Sequence, residues 1–177
     1  MRHLMKRICV VLLGTLLGTV TGMAQNPNVA PHAAAGAGHY LVAGSLDVEF
    51  TFFAFQQPNG KFFGAFHEVT NDGLGNVEFY ARVTCLAVDP VEHRAWIGGV
   101  ITSNLSTSSD FTDEIHQPGH DVWFRILDSN DPNQPSRSTF MGFEGAIPSS
   151  AAYCALRPWA PDNARTWPVT QGGLTVK

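Results

Sequence analysis

A polar stretch between residues 110 and 121 holds the densest group of side chains that could do chemistry. Its carboxylates and imidazoles are Asp110, Asp113, Glu114, His116, His120 and Asp121. Zinc and other divalent ions accept these ligand types. The two histidines are separated by Gln-Pro-Gly, so they do not share one helix turn as in the metalloprotease motif. We name Asp113, His116, His120 and Asp121 as candidate metal ligands, but the favoured interpretation is a solvated loop without a cofactor.

Three other residues are candidates for binding a ligand. His67 shares a strand face with Phe63 and Val69, which predicts an interior histidine, and a polar group inside a barrel can begin a ligand pocket. Trp159 and Trp167 lie among prolines and offer an aromatic platform for a sugar or peptide. The favoured alternative is that both tryptophans cover one end of a β core.

Catalytic nucleophile motifs are missing from the sequence. It contains no Gly-x-Ser-x-Gly and no phosphate-binding glycine loop. We therefore predict no catalytic residues, and the residues favour a protein that is not an enzyme.

The first 24 residues have the three-part layout of a secretory signal peptide. Basic residues at positions 2, 6 and 7 precede an apolar run from 8 to 20, and small residues precede Gln25. This run is shorter than the roughly 20 residues that span a bilayer. We predict cleavage after Ala24, export to the periplasm or the extracellular space, and no transmembrane anchor in the mature chain.

Cleavage would leave an acidic chain with two cysteines. The 11 basic and 15 acidic residues become 8 and 15 once positions 2, 6 and 7 are removed, so the net charge moves from −4 to −7. This charge argues against nucleic acid as a partner. Cys9 leaves with the signal peptide, and the remaining Cys85 and Cys154 predict one disulfide, with two buried thiols as the alternative.

Alternating apolar and polar residues predict an all-β fold. The stretch 76–102 reads as a hairpin, and the phenylalanine-rich strands 47–56 and 61–70 supply most of the core. We expect a small antiparallel barrel or sandwich of about eight strands, forming a single β domain over residues 39–177 after a flexible leader at 25–38.

Several local features of this β domain can be predicted as well. Gly98-Gly99 inside a strand indicates a bulge or a close backbone approach. Residues 151–156 are expected to form a strand, and Trp167-Pro168 should interrupt regular structure before a last strand at 174–177.

The order of these motifs resembles that of a group of uncharacterised secreted bacterial β-domain proteins. The shared pattern is carried by Val83–Leu86 (VTCL), Ala95–Gly99 (AWIGG), the strand at Val122–Asp128 and Tyr153-Cys154. The resemblance covers about the whole mature chain. It implies export, a β fold and a Cys85–Cys154 bond, and it implies no activity.

These observations leave three hypotheses for function. The first is a secreted, non-enzymatic β module with a binding or structural role. The second is a lipocalin-like carrier of a small apolar ligand, motivated by the phenylalanine content. The third is a metal-dependent enzyme that uses the 110–121 loop.

The export and disulfide predictions are checked by the intact mass of the protein secreted by its own host. We expect the denatured mass of residues 25–177 less two hydrogens, because oxidation of two thiols removes one hydrogen from each. A mass that retains residues 1–24 would contradict the predicted cleavage, and a mass without the loss would contradict the bond.

Overall fold

Nine antiparallel strands and one short α-helix make up residues 31–177, which are the residues described by the computed structural model. The strands and the helix are β1 (Ala33–Val42), β2 (Leu46–Gln56), β3 (Phe62–Asn71), β4 (Asn76–Asp89), β5 (Arg94–Asn104), β6 (Asp121–Leu127), β7 (Arg137–Ser138), β8 (Gly142–Phe143), α1 (Ser150–Leu156) and β9 (Trp167–Val176). Short 3₁₀ turns occupy Ser109–Phe111, Glu114–His116 and Pro161–Asn163. The predicted signal peptide and positions 25–30 of the predicted leader lie outside the described residues.

Eight of the strands close into a barrel. β1 to β6 pair in chain order, β6 pairs with β7, β7 with β9, and β9 with β1. β8 is the additional strand and pairs with β6. The all-β prediction is confirmed, and ring closure decides between the barrel and the sandwich that the sequence left open.

Aromatic side chains fill the inside of the barrel. Phe124 on β6 packs edge-on against Phe52 and Phe66, with ring centroids 5.0 and 5.1 Å apart. The phenylalanine-rich strands β2 and β3 therefore supply core, as predicted. A cavity of about 10 Å³ beside these rings is the size of a single water molecule.

A bulge in β4 switches which side chains face the barrel interior. Val83 pairs with Gly99, but Cys85 pairs with Gly98, so Thr84 is the extra residue. Strict alternation along β4 would place Cys85 and Val83 on one face. Instead, Cys85 and Ala87 point outward, while Leu86 joins Val83 in the interior core. One inserted residue reverses every side chain that follows it.

Helix α1 covers the outside of the barrel next to this bulge. A Cβ atom at Gly98 would lie 2.7 Å from the Cβ of Ser150, so only glycine allows the helix to approach this closely. The close approach predicted for Gly98-Gly99 is therefore confirmed, whereas the bulge lies opposite them on β4, at Thr84. The Cys85–Cys154 disulfide, with Cα atoms 6.3 Å apart, joins α1 to β4.

The strand predicted for 151–156 is wrong, because these residues form α1. Ser149 caps the helix by accepting a hydrogen bond from the Ala152 amide at 3.2 Å. An alanine-rich segment of two turns is too short to show a helical period. Among residues 31–177, no helix has the length and apolar character needed to cross a membrane.

The predicted ends of the β domain also need correction. Residues 33–38 of the expected flexible leader belong to β1. All of them pair with residues of β2, and those from Ala34 onward also pair with residues of β9. Trp167-Pro168 begins β9 instead of interrupting regular structure. The small residues at 33–38 show no alternation of apolar and polar side chains, so the sequence gives no sign of a strand there. They form one because backbone hydrogen bonds hold the segment on both edges.

The disulfide should contribute substantially to stability. Replacing Cys85 by Ala, alone or together with Cys154→Ala, should lower Tm by on the order of 10 °C under oxidising conditions, since the bond closes a loop of 69 residues. Thermal unfolding followed by circular dichroism measures the change. Added reductant should reduce the difference in Tm between the wild type and the variants. Equal Tm values without reductant would contradict the prediction.

Candidate functional site

His116, a predicted metal ligand, is buried among aromatic rings. Its ring centroid lies 4.3 Å from that of Phe143 and 6.2 Å from that of Phe79. Its Nδ1 is hydrogen-bonded to the Asp113 carboxylate. This pair therefore anchors the 110–121 loop to the barrel.

His120 and Asp121, the other two predicted ligands, have separate partners. The Nδ1 of His120 lies 3.3 Å from Glu144 Oε2, and the Asp121 amide donates to Glu144 Oε1 at 2.8 Å. The Asp121 carboxylate accepts a hydrogen bond from the Ser150 amide at 3.0 Å, at the start of α1. Within residues 31–177, no three His, Cys, Asp or Glu side chains come together in a way that could hold a metal ion.

His67 lies on the outer face of the barrel, which corrects the expectation of an interior histidine. It stacks on Tyr80 with ring centroids 4.2 Å apart, and its Nε2 lies 3.2 Å from Glu78 Oε1. His67 lines a surface depression with Phe53 and Tyr80, and Phe53 also borders a neighbouring depression lined by Phe63; we call the two together the outer groove. Its role in ligand binding stays a prediction.

A second opening, which we call the aromatic cleft, lies between β6, α1 and the carboxy-terminal loop. Its volume is about 430 Å³, within the range of small-molecule sites. The residues that line it are Trp123, Arg125, Thr139, Phe140, Met141, Gly142, Ile147, Tyr153, Pro158, Arg165 and Trp167. Four separate parts of the chain thus contribute to one solvent-open site.

Stacked rings form one side of the aromatic cleft. Trp123 projects outward from β6 because its neighbours Val122 and Phe124 point into the core. It stacks on Tyr153 of α1 with ring centroids 5.4 Å apart and an interplanar angle of 18°. Burial raises the pKa of Tyr153 to about 12, so its hydroxyl stays neutral at physiological pH.

Trp167 forms part of another wall and is fixed from both sides. Its ring is 6.4 Å from that of the buried Tyr40, with an interplanar angle of 14°. The preceding residue, Thr166, is held by two hydrogen bonds from the Arg137 guanidinium, at 2.8 and 2.7 Å. Of the three predicted ligand-binding residues, Trp167 is the one that lines the cleft.

Trp159 has a covering role next to the aromatic cleft. It packs edge-on against Trp96, and its indole N–H donates to Asn163 Oδ1 at 3.0 Å. The guanidinium carbons of Arg94 and Arg125 lie 4.5 and 5.3 Å from its ring centroid. This arrangement agrees with the interpretation of Trp159 as a cover over a β core, and the ring also positions two arginines.

The loop that carries Trp159 and Arg165 has an unusual backbone. Four non-glycine residues between 157 and 165 have φ angles from +48° to +62°: Arg157, Asp162, Asn163 and Arg165. Arg157 ends α1 in the left-handed conformation common at helix termini, and aspartate and asparagine tolerate this region. Arg165 is the residue of the four whose conformation depends most on the surrounding contacts.

The inner side of the segment 139–141 contacts a buried polar pair. Tyr40 Oη lies 2.9 Å from Glu68 Oε2 and 3.0 Å from the carbonyl oxygen of Thr139. The Met141 amide donates to Glu68 Oε1 at 3.3 Å. Thr139 and Met141 thus line the cleft while their backbone binds groups inside the barrel.

A proton on Glu68 would satisfy both contacts of the Tyr40 hydroxyl. A tyrosine hydroxyl has one hydrogen and cannot donate to two acceptors fully. Both contacts form if Glu68 donates to Tyr40 Oη and Tyr40 donates to the Thr139 carbonyl. Burial raises the pKa of Glu68 to about 8, which agrees with a neutral carboxyl group near neutral pH.

Comparison of the chain with protein-family models, with curated proteins and with solved structures found no match. We therefore infer the function from the geometry of the described residues.

Sequence reasoning did not identify several residues of this region. The alternation in β6 could have placed Trp123 and Arg125 on the outer face, but only the position of α1 makes that face a cleft wall. The placement of His67 inside the barrel leaves its neighbour Glu68 on the outer face, and the error arises because both faces of β3 carry apolar side chains.

The Glu68 carboxyl should make stability depend on pH. Between its ordinary pKa of 4.5 and its folded pKa of about 8, only the folded state holds the proton. The free energy of unfolding should therefore fall as pH rises through this window, by on the order of 1 kcal/mol per pH unit. Glu68→Gln, which stays neutral, should lose this decline and be more stable than the wild type at pH 8 to 9.

Urea unfolding of both proteins from about pH 5 to 9 measures the effect. Glu49→Gln, on the exposed face of β2, is the matched control and should follow the wild-type curve. Parallel curves for the wild type and Glu68→Gln would show that Glu68 does not carry a proton inside the barrel.

Proposed function

We propose that the protein is a secreted, non-enzymatic module that binds a small ring-bearing ligand in the aromatic cleft. The observation that carries the proposal is the cleft itself, about 430 Å³ in volume and walled by Trp123, Tyr153, Phe140 and Trp167. Flat rings of this kind bind sugars and aromatic compounds through their faces. Their positions are fixed before any ligand arrives, which reduces the entropy lost on binding.

Secretion is supported by two independent features. The basic start and apolar run of the first 24 residues have the form of an export signal. The Cys85–Cys154 bond is of the kind that persists in oxidising compartments. A disulfide also keeps α1, and with it one cleft wall, attached to the barrel outside the cell.

A non-enzymatic role is supported by the surroundings of the titratable groups. Glu68, whose pKa lies closest to neutrality among the shifted carboxyls, is enclosed in the barrel, where a substrate has no room to reach it. His116 and His120 are each bonded to a different carboxylate. The metal-dependent enzyme therefore draws less support from the geometry than the binding module does.

The carrier hypothesis differs in where the ligand would lie. A lipocalin-like protein holds its ligand within the barrel. Here aromatic rings occupy that space, and the cavity among Phe50, Phe66 and Phe124 measures about 10 Å³. The proposal accordingly places the ligand outside the barrel.

The four tryptophan indole N–H groups provide a direct test by nuclear magnetic resonance. Trp123 and Trp167 line the cleft, whereas Trp96 and Trp159 donate to Pro158 and Asn163 within the fold. We expect a set of monosaccharides and single-ring aromatic compounds to contain ligands that shift the Trp123 and Trp167 signals in a saturable way. The Trp96 and Trp159 signals should change less.

Two phenylalanine variants locate the site. Phe140→Ala removes a cleft wall and should weaken binding roughly tenfold, since a buried aromatic contact typically contributes more than 1 kcal/mol. Phe63→Ala, in the outer groove and 60% exposed, should leave affinity unchanged. Saturable shifts confined to His67 and Tyr80 would move the site to the outer groove, and no saturable shifts would reject the proposal.

A further inference from the structure

Arginines are concentrated around the aromatic cleft of this acidic protein. Of the six arginines within residues 31–177, three lie on segments that line it: Arg125 on β6, Arg157 next to Pro158 at the end of α1, and Arg165 in the carboxy-terminal loop. Arg125 and Arg165 line the cleft directly. Since the predicted mature chain carries a net charge of −7, the two charges at one opening form a local positive region.

Arg125 lacks a negatively charged partner among the described residues. Its Nη2 donates to the Ala164 carbonyl at 3.3 Å, and its Nε is buried without a hydrogen-bond acceptor. Arg94, by contrast, has the Glu92 carboxylate at 3.4 Å. The ion pairs found within residues 31–177 do not include Arg125.

A half-buried guanidinium group without a counter-charge is a complement for an anion. Arginine does not lose its proton in proteins, so it cannot become neutral as a buried carboxyl can. Its planar group matches the oxygen pairs of carboxylate, sulfate and phosphate. Trp159 and Tyr153 beside Arg125 exclude water from part of the group, which strengthens a charged hydrogen bond there.

We propose that the aromatic cleft prefers a ring-bearing anion, whose charged group pairs with Arg125 and Arg165 while its ring lies against the tryptophans. This inference rests on the proposed binding function and adds the class of ligand. Aromatic acids and sugar acids share the required chemistry, namely one anionic group on a six-membered ring. The two classes differ in the face of the ring. An aromatic acid presents a π system, whereas a sugar acid presents C–H and hydroxyl groups.

Two matched pairs of probes test the charge and the ring separately. Benzoate and benzamide differ by the charge on an aromatic ring, and glucuronate and glucuronamide differ in the same way on a sugar. Each probe is titrated into the mature protein at low salt while the Trp123 and Trp167 indole signals are followed. We expect the charged member of at least one pair to bind about tenfold more tightly or better, as one charge-assisted hydrogen bond would provide.

Arginine variants should remove this preference without removing binding. In Arg125→Gln, the ratio of the affinity for the charged probe to that for the neutral probe should fall to near one. In Arg165→Gln, the same ratio should fall to an intermediate value, because the Arg165 side chain is exposed at the rim. Arg82→Gln, in the outer groove, is the control and should keep the wild-type ratio. Thermal unfolding confirms that each variant is folded before titration, and if Arg125→Gln is not, Arg125→Lys should keep a reduced preference.

The outcomes separate the two proposals. Equal affinity for the charged and neutral members of both pairs, or an unchanged ratio in Arg125→Gln, would overturn the anion inference and leave the binding function in place. Saturable shifts from benzoate alone would assign the site to aromatic acids, and from glucuronate alone to sugar acids. Absence of saturable shifts from all four probes and from the wider set of compounds would overturn both proposals.

Discussion

The close contact between α1 and Gly98 is the constraint on which the outer half of the molecule depends. A side chain at this position would meet Cys85 Sγ at 2.6 Å and Ser150 at 2.7 Å. With glycine there, the helix lies on the barrel, the disulfide can form, and Tyr153 reaches Trp123. The aromatic cleft exists because the helix is held in this place, so a structural contact on β5 determines the geometry of a site beside β6.

Two ionisable groups, Glu68 and Arg125, are accommodated by the fold in different ways. Glu68 lies inside the barrel, and the cost of burying a carboxylate is avoided because the group takes up a proton and joins Tyr40 in a hydrogen-bonded chain. Arg125 cannot do the same, since its guanidinium group keeps its charge. Its charge is offset only partly by the Trp159 ring and the Ala164 carbonyl. The first arrangement is complete within the fold, whereas the second is open to an anion from outside.

The segment 139–141 separates the Tyr40–Glu68 pair from the aromatic cleft. Thr139 and Met141 bind the Tyr40–Glu68 pair through their backbone and face the aromatic cleft on the other side. Hydrogen bonds from inside the barrel therefore hold this wall of the cleft in place, although the segment is neither a helix nor a long strand. A disulfide on one side and a buried hydrogen-bonded pair on the other hold the walls of the cleft, which suits a site that binds without large rearrangement.

The sequence by itself determined the β class, the hairpins with their phenylalanine core, and the pairing of Cys85 with Cys154 once Cys9 is assigned to the signal peptide. Tertiary structure decided the closed barrel, the helix at 150–156 and the direction of His67 and Glu68 on β3. Alternation reports which residues share a face, but it does not say which face is inside when both are apolar. It also fails beyond a bulge such as that at Thr84, because one extra residue reverses the order. The aromatic cleft depends on contacts between residues far apart in the chain, and these are set only when the barrel closes and α1 packs against it.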